Sequence, residues 1–296
     1  MHVPTAFAEH IRVVHGAGGE AWLRRLPSLV DELCARWGLT LGRPFALSFN
    51  YVVGVTRADG TEAVLKLCTP DRVVRREIAA LRLYAGDGAC RLLEADQERC
   101  ALLLERVRPG GMLVQAAARD DDEATRVGAR LLRRLWRPLP PGGAFRPLAE
   151  WFGAFARHRA AHGGGAGPLP ADLLEHAERL APRLLASAPT CVVLHGDFHH
   201  FNVLRSRRDG WLAIDPKGMS GDPGYDVGPF LCNPSLSPPE VLARRLAIFA
   251  DELGYDRDRL RDWGIAHAVL SACWSVEDEG DGWQDAIATA RILMQL

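Results

Sequence analysis

The chain has 296 residues, a formal net charge of −1 at pH 7 and 48% hydrophobic residues. This charge balance gives no indication of the strongly basic composition by which proteins bind nucleic acids or anionic membranes. No apolar run approaches the roughly 20 residues that a membrane-spanning helix needs, and the N-terminus lacks a secretion-signal pattern. We therefore expect a cytoplasmic globular protein without a nucleic-acid or membrane partner, and the sequence leaves its oligomeric state open.

The first 107 residues combine two predicted helices with a small antiparallel sheet. Apolar residues recur at helical spacing over residues 20–38, which predicts an amphipathic helix. Apolar runs separated by short turns predict a β-β-β-α-β-β order for residues 42–107. The expected strands are 45–47, 51–57, 62–68, 89–95 and 99–107, and the expected helix is 71–84 with Asp71 as its N-cap.

From residue 108 onward helical patterns dominate, separated by Pro- and Gly-rich breaks. A sheet-rich part followed by a helical part predicts an α+β fold with a small antiparallel β lobe, residues 1–107, and a larger, mainly helical lobe, residues 108–296. We expect a cleft between the two lobes. The expected helices are 123–136, 148–162, 171–186, 238–254, 257–275 and 283–295.

Residues 192–229 carry the spacing of a phosphoryl-transfer site. Asp197 stands five residues before Asn202, and Asp215 ends an apolar strand thirteen residues after that. Phosphoryl transfer needs a carboxylate that orients the attacking hydroxyl, and oxygen ligands that hold Mg²⁺ against the nucleotide phosphates. We predict that Asp197 is the catalytic base and that Asn202 and Asp215 bind Mg²⁺. The alternative for Asp197 is a turn aspartate that bonds its own backbone.

Histidines and one further aspartate accompany this motif. For His195 we favour a structural role, in which a ring hydrogen bond orients the loop, over a catalytic one. His199 and His200 are adjacent and do not point the same way, so loop packing is favoured over a metal pair. Asp226 follows a glycine-rich loop, and it can either brace the catalytic loop or contact substrate.

Lys66 is a charged residue inside the apolar predicted strand 62–68, and Glu77 follows in the next predicted helix. In kinases a strand lysine held by a helix glutamate contacts the α- and β-phosphates of the nucleotide. We predict this pairing here. The alternative for Lys66 is the solvent face of an edge strand, and Arg75 and Arg76 are competing partners for Glu77.

Two further segments are candidates for nucleotide binding. The backbone from Glu105 to Val107 lies where the predicted lobes join, so it would hydrogen-bond the adenine edge. Ser48 and Asn50 lie between the first two strands and can bond phosphate oxygens, although ordinary turn chemistry explains them equally well. The absence of the G-x-x-x-x-G-K-[ST] pattern argues against a P-loop enzyme.

The chain resembles the aminoglycoside phosphotransferase superfamily, and more closely its group of streptomycin 6-phosphotransferases and hydroxyurea phosphotransferases. The most group-specific stretch is Ile214–Gly218, Ile-Asp-Pro-Lys-Gly, which separates this branch from choline and fructosamine kinases. The family implies a protein-kinase-like fold, ATP with Mg²⁺, and transfer of the γ-phosphoryl group to a small-molecule hydroxyl. The resemblance rests on Leu194–His200, Asn202–Leu204, Trp211–Gly218, Gly221–Pro223, Tyr225–Val227 and Val64–Lys66, and it spans most of the chain.

Two features bear on the acceptor. Phe201 stands where this group usually has glycine, and its ring can narrow the acceptor site or shift the loop. Residues 275–290 contain acidic residues and no basic one, so an acidic rim with Glu277 and Asp278 would attract the guanidinium groups of streptomycin. A solvated acidic loop is the alternative.

The leading hypothesis is an ATP-dependent phosphotransferase that modifies a hydroxyl of an aminoglycoside of the streptomycin type, which would confer antibiotic resistance. A kinase for hydroxyurea or an unidentified small metabolite is the alternative within the same class. A catalytically inactive nucleotide-binding regulator is the alternative from another class, and the presence of Lys66, Glu77, Asp197, Asn202 and Asp215 argues against it.

Overall fold

A computed structural model describes residues 3–69, 73–234, 236–278 and 280–296 of the protein. The chain forms two compact units, which are Met1–Gly86 with Cys90–Val107, and Asp87–Ala89 with Arg108–Leu296. None of the helices in the described ranges combines the length and the apolar composition that a membrane crossing requires.

The first unit packs a long helix and a short one with a five-stranded antiparallel sheet of order β1-β2-β3-β5-β4. Leu26 and Leu33 of the long helix join Leu65 and Leu103 of the sheet in one buried hydrophobic cluster. The elements are α1 (Thr5–Trp37), β1 (Leu39–Pro44), β2 (Tyr51–Arg57), β3 (Glu62–Leu67), α2 (Val73–Tyr84), β4 (Leu92–Asp96) and β5 (Ala101–Glu105).

The predicted boundaries of the first helix and the first strand in this unit differ most from the structure. Helix α1 begins at Thr5 rather than at residue 20: a helical segment precedes a break at Gly16, whose backbone is non-helical, and Ile11 of that segment is buried in the same cluster as Leu26. The first strand occupies Leu39–Pro44 rather than 45–47, because Gly38 adopts a left-handed conformation with φ of 62° and turns the chain directly from α1 into β1. The predicted N-cap Asp71 lies outside the described residues.

The second unit packs its helices around a long buried helix, α9, whose Trp263 is fully buried. Two small sheets lie in the same unit, with strand orders β11-β10-β6 and β7-β9-β12-β8. The elements are β6 (Pro109–Met112), α3 (Leu113–Ala117), α4 (Asp121–Leu135), β7 (Arg137–Pro138), β8 (Arg146–Pro147), α5 (Gly153–Ala161), α6 (Ala171–Ala186), β9 (Val192–Leu194), β10 (Val203–Ser206), β11 (Gly210–Ala213), β12 (Met219–Gly221), α7 (Val227–Leu231), α8 (Pro239–Leu253), α9 (Arg257–Glu277) and α10 (Trp283–Leu293).

Asp222 is a fully buried carboxylate that joins the segment after β12 to helix α9. It accepts hydrogen bonds from Arg259 Nε at 2.7 Å, from Trp263 Nε1 at 2.9 Å and from the backbone N–H of Gly224 at 2.9 Å. A buried charge needs hydrogen-bond partners to offset the loss of its hydration, and these donors supply them.

We expect Asp222→Ala to lower the free energy of unfolding by about 3–5 kcal/mol, because it leaves the mostly buried Arg259 guanidinium without its carboxylate. Urea denaturation followed by circular dichroism measures the change. The matched control is Asp258→Ala, which removes an exposed carboxylate paired with Arg261 and should leave the transition nearly unchanged. An equally small effect of both substitutions would contradict a structural role for Asp222.

Candidate active site

The candidate catalytic residues lie on two loops that one strand pair brings together. Asp197 and Asn202 lie between β9 and β10, and Asp215 follows β11. Strands β10 and β11 are antiparallel with Val203 opposite Ala213, so the start of one and the end of the other are neighbours. The backbone N–H of Ile214 also donates to the carbonyl of Asn202 at 2.9 Å. The two predicted metal ligands are thereby held on adjacent backbone segments.

Asn202 is held against Asp197 by its side-chain amide. Its Nδ2 donates to the main-chain oxygen of Asp197 at 2.9 Å and lies 3.4 Å from Asp197 Oδ2. With the nitrogen committed in this way, the amide oxygen is the atom left for a ligand, and no described residue donates to it. His199 also reaches the site, with Nε2 3.4 Å from Asp197 Oδ1 and 3.2 Å from Asn202 Nδ2.

Lys217 joins the two candidate carboxylates. Its Nζ lies 2.7 Å from Asp215 Oδ2 and 3.4 Å from Asp197 Oδ2. Burial acts to raise the pKa of Asp197, but Lys217 and then His199 outweigh it and hold that pKa well below its usual value. Asp197 is therefore ionised at neutral pH. A carboxylate of such low basicity is suited to orienting a hydroxyl rather than to removing its proton early.

Asp226 and His195 brace the catalytic loop from the protein interior. Asp226 is fully buried, and its carboxylate accepts the backbone N–H groups of His195 at 3.0 Å and Gly196 at 2.8 Å and the indole N–H of Trp136 at 3.2 Å. Burial raises the pKa of Asp226 to about 6 despite these bonds. Of the two roles predicted for Asp226, its burial fits bracing and corrects the suggestion of a substrate contact.

His195 connects the two loops, as its predicted structural role requires. Its ring Nε2 bonds the carbonyl of Ile214 at 2.9 Å, and its own carbonyl accepts the N–H of Lys217 at 2.7 Å. Burial lowers the pKa of His195 to about 4, so the ring is neutral at physiological pH. His200 is fully buried with its ring against Phe230, whereas His199 contacts Asp197 and Asn202.

Gly196 makes this arrangement possible by its backbone conformation and its lack of a side chain. Its φ is 87°, and a Cβ there would lie 2.9 Å from Met219 Cγ and 3.1 Å from Lys217 Cβ. Only glycine meets both conditions without strain.

We expect Gly196→Ala to lower kcat by about 10²-fold, because displacement of the loop by an ångström is enough for such a loss. The matched control is Gly210→Ala, since Gly210 has φ of 72° and nothing within 4 Å of its virtual Cβ. Both variants carry backbone strain, but only the first crowds Lys217. Steady-state kinetics and thermal melts distinguish the loss of activity from a loss of stability. Equal activity losses in both variants would contradict the explanation that crowding at Gly196 displaces the loop.

The candidate nucleotide-binding pair lies in the first unit. Lys66 Nζ donates to both carboxylate oxygens of Glu77 at 2.8 Å, so the predicted contact is observed. Both side chains are almost completely buried, with exposed fractions of 5% and 2%. The edge-strand alternative for Lys66 is wrong, because β3 lies between β2 and β5.

The structure gives less support to the other candidate nucleotide-binding residues. Ser48 is exposed and Asn50 is half-buried, on the bend between β1 and β2. The backbone N–H of Glu105 donates to the carbonyl of Arg91 at 2.9 Å, so this donor is used by the sheet. Adenine recognition by residues 105–107 would therefore use other backbone groups, such as those of Val107.

The acidic stretch is partly neutralised in the folded protein. Arg157 of α5 donates to both carboxylate oxygens of Glu277 at 3.0 and 3.1 Å, so the charge of this member of the predicted acidic rim is paired. Asp278 follows directly at the end of α9, and Glu279 lies outside the described residues. Phe201 is 41% exposed, with its ring edge-on to His199 at a centroid distance of 5.9 Å.

Lys217 and His199 contact the candidate catalytic residues, but neither of them was assigned a catalytic or binding role from the sequence. A compositional signal for Lys217 was present. Of the 36 basic residues, lysine occurs only at positions 66 and 217, and all the others are arginine. His199 carried no such signal, because its orientation depends on the conformation of the loop.

Residues 36–280 match the family model described as aminoglycoside/hydroxyurea antibiotic resistance kinase. The chain belongs to this family. Its similarity to streptomycin 6-kinase of Streptomyces griseus is 37% identity over 94% of this chain and 92% of the relative. Similarity to hydroxyurea phosphotransferase of Kitasatospora aureofaciens is 38% identity over 94% and 81% of the two chains. These similarities confirm two predictions: that the chain belongs to this family of antibiotic kinases, and that it is a phosphotransferase acting on a small-molecule hydroxyl.

A solved structure shares the fold of this protein. A crystal structure of the aminoglycoside phosphotransferase APH(4)-Ia aligns with a TM-score of 0.65 at 16% identity, covering 90% of this chain and 97% of the other. The similarity confirms the predicted α+β protein-kinase-like fold with an antiparallel sheet and a larger helical part.

Proposed function

We propose that the protein transfers the γ-phosphoryl group of ATP to a hydroxyl group of an aminoglycoside of the streptomycin type and so inactivates the antibiotic. The observation that carries this proposal is the grouping of Asp197, Asn202 and Asp215 on adjacent loops of the second unit. These three groups supply the orienting carboxylate and the hard oxygen ligands that kinase chemistry needs. The similarity to streptomycin 6-kinase supports the acceptor class.

Asn202 and Asp215 are the residues that would hold Mg²⁺. The donor set fits this ion, because the Asn202 amide nitrogen is committed to Asp197 and leaves a hard amide oxygen beside the Asp215 carboxylate. When bound, Mg²⁺ would neutralise the charge on the nucleotide phosphates. We assign nucleotide binding to the lobe formed by residues 1–107, where Lys66, oriented by Glu77, would contact the α- and β-phosphates.

Asp197 would accept a hydrogen bond from the acceptor hydroxyl and align its oxygen with the γ-phosphorus. Because Asp197 is ionised and held by Lys217, it provides a fixed acceptor for that hydrogen bond. Catalysis would then consist mainly of positioning and charge neutralisation. The catalytic role belongs to the lobe formed by residues 108–296. A cytoplasmic location, where ATP is abundant, is part of the proposal.

Hydroxyurea is the second candidate acceptor, and the 38% identity to hydroxyurea phosphotransferase is the observation that favours it. Phe201 bears on the choice, because a partly exposed ring beside His199 takes up space that glycine would leave open. Glu277 and Asp278 remain candidate contacts for a cationic acceptor, although Arg157 already pairs with Glu277.

Incubation of the purified protein with ATP, Mg²⁺ and each acceptor, followed by mass spectrometry of the products, tests the proposal. The expected product is streptomycin carrying one phosphoryl group. Fragmentation of that product in the mass spectrometer shows which hydroxyl carries the group. Phosphorylated hydroxyurea with unmodified streptomycin would replace the first acceptor by the second. ATP binding without transfer to any acceptor would favour a nucleotide-binding regulator.

A further inference from the structure

Each of the two lysines of this chain lies among candidate functional residues of its own unit. In a sequence whose other basic residues are all arginine, Lys66 pairs with Glu77 in the first unit, and Lys217 joins Asp197 and Asp215 in the second. The first lysine has the role that kinases generally give to it. The second has no role in the mechanism derived above beyond its contact with Asp197.

The surroundings of Lys217 hold its ammonium group between the carboxylates. Its backbone N–H donates to the carbonyl of His195 at 2.7 Å, and its Cβ lies against Gly196. Asp215, two residues earlier, has φ of 61°, a left-handed conformation that non-glycine residues seldom adopt. This local backbone turns the Asp215 carboxylate toward Lys217 Nζ, at 2.7 Å.

We propose that Lys217 is a positioning residue whose ammonium group bridges Asp197 and Asp215 and competes with divalent cations for the Asp215 carboxylate. The inference rests on the proposed function, because it concerns the same phosphoryl-transfer site. It implies that the protein without nucleotide binds divalent cations weakly, and that the phosphates of the nucleotide are needed to bring the cation in. Metal binding is thereby linked to nucleotide binding.

The chemistry of lysine fits this task better than that of arginine. An ammonium group is a compact charge with three donors that can serve two carboxylates at once, as Nζ does at 2.7 and 3.4 Å. A guanidinium group is a planar fork that matches one carboxylate with two parallel bonds. Replacement of Lys217 by arginine should therefore keep the positive charge but alter the spacing of the carboxylates.

The first test measures cation binding without nucleotide. Mn²⁺ is titrated into the protein and the free ion is followed by electron paramagnetic resonance. Removal of one positive charge beside two carboxylates should tighten Mn²⁺ binding about five- to tenfold in Lys217→Met. Lys217→Arg should stay within about twofold of the unaltered protein. The matched control is Arg179→Met, which removes an exposed positive charge from α6 and should have no effect.

The second test separates positioning from folding. Lys217→Met should lower kcat about 10²-fold with little change in the KM for ATP, and Lys217→Arg should recover part of that loss. A merely structural lysine would instead weaken Mn²⁺ binding, lower the melting temperature and raise the KM for ATP together. Thermal melts of all variants are measured alongside.

The proposal is overturned if Lys217→Met binds Mn²⁺ no more tightly than the unaltered protein, including the case in which neither binds detectably. It is also overturned if Lys217→Met retains full kcat. Failure of the unaltered protein to phosphorylate any acceptor would remove the proposed function instead, and the Mn²⁺ affinities would still decide the competition at Asp215.

Discussion

Asp197→Asn should lower kcat by about 10²- to 10⁴-fold while leaving ATP affinity nearly unchanged. Asparagine has almost the same shape, but its neutral amide is a weaker acceptor for the attacking hydroxyl. The substitution also leaves Lys217, whose Nζ lies 3.4 Å from Asp197 Oδ2, with one charged partner fewer. Release of ADP in the presence of streptomycin measures the rate, and calorimetric titration with ATP measures binding.

Asp209→Asn is the matched control for this prediction. Asp209 lies in the same unit and pairs with Arg134 rather than with the candidate site. The control should retain the activity of the unaltered protein, since it makes the same chemical change elsewhere. Full activity in Asp197→Asn would show that the hydroxyl is oriented by another group, and His199 would then be the nearest candidate.

Glu77→Ala should lower the free energy of unfolding by about 3–5 kcal/mol, because it removes the carboxylate that accepts two hydrogen bonds from the buried Lys66 ammonium. The double variant Lys66→Met with Glu77→Leu should recover much of that stability, since it removes both buried charges and keeps apolar volume. It should not recover nucleotide affinity, which requires the ammonium group. Denaturant unfolding and ATP titration of the single and double variants separate the two effects.

Glu32→Ala is the control for the buried pair. Glu32 forms an exposed pair with Arg99 in the same unit, and its loss should leave the unfolding midpoint nearly unchanged. A double variant as unstable as Glu77→Ala would contradict the argument. The loss of unfolding free energy would then come from altered packing rather than from the removed charge partner of Lys66. Recovery of ATP affinity in the double variant would remove Lys66 from the proposed nucleotide site.

Much of the fold could be read from local patterns. The strand at Tyr51–Arg57 and the helix at Ala171–Ala186 have the predicted boundaries, because alternation and helical spacing are properties of neighbouring residues. The start of α1 could not be read in this way. Glycines at 16, 18 and 19 interrupt the helical pattern, and the burial of Ile11 in the core accounts for the helical segment that precedes the break at Gly16.

The sequence by itself indicated the kinase chemistry and the candidate residues Lys66, Glu77, Asp197, Asn202 and Asp215, because their pattern along the chain is what a phosphoryl-transfer site requires. It indicated the family through its resemblance in motifs such as Ile214–Gly218. Apart from the predicted Lys66–Glu77 pair, the tertiary structure decided which charges meet. Arg157 and Glu277 are 120 residues apart in sequence, and Asp226 lies 30 residues from the Gly196 N–H that it accepts. Such contacts arise from packing of distant elements, which no local periodicity records, and for the same reason the contact of Lys217 with Asp197 appears only in the fold.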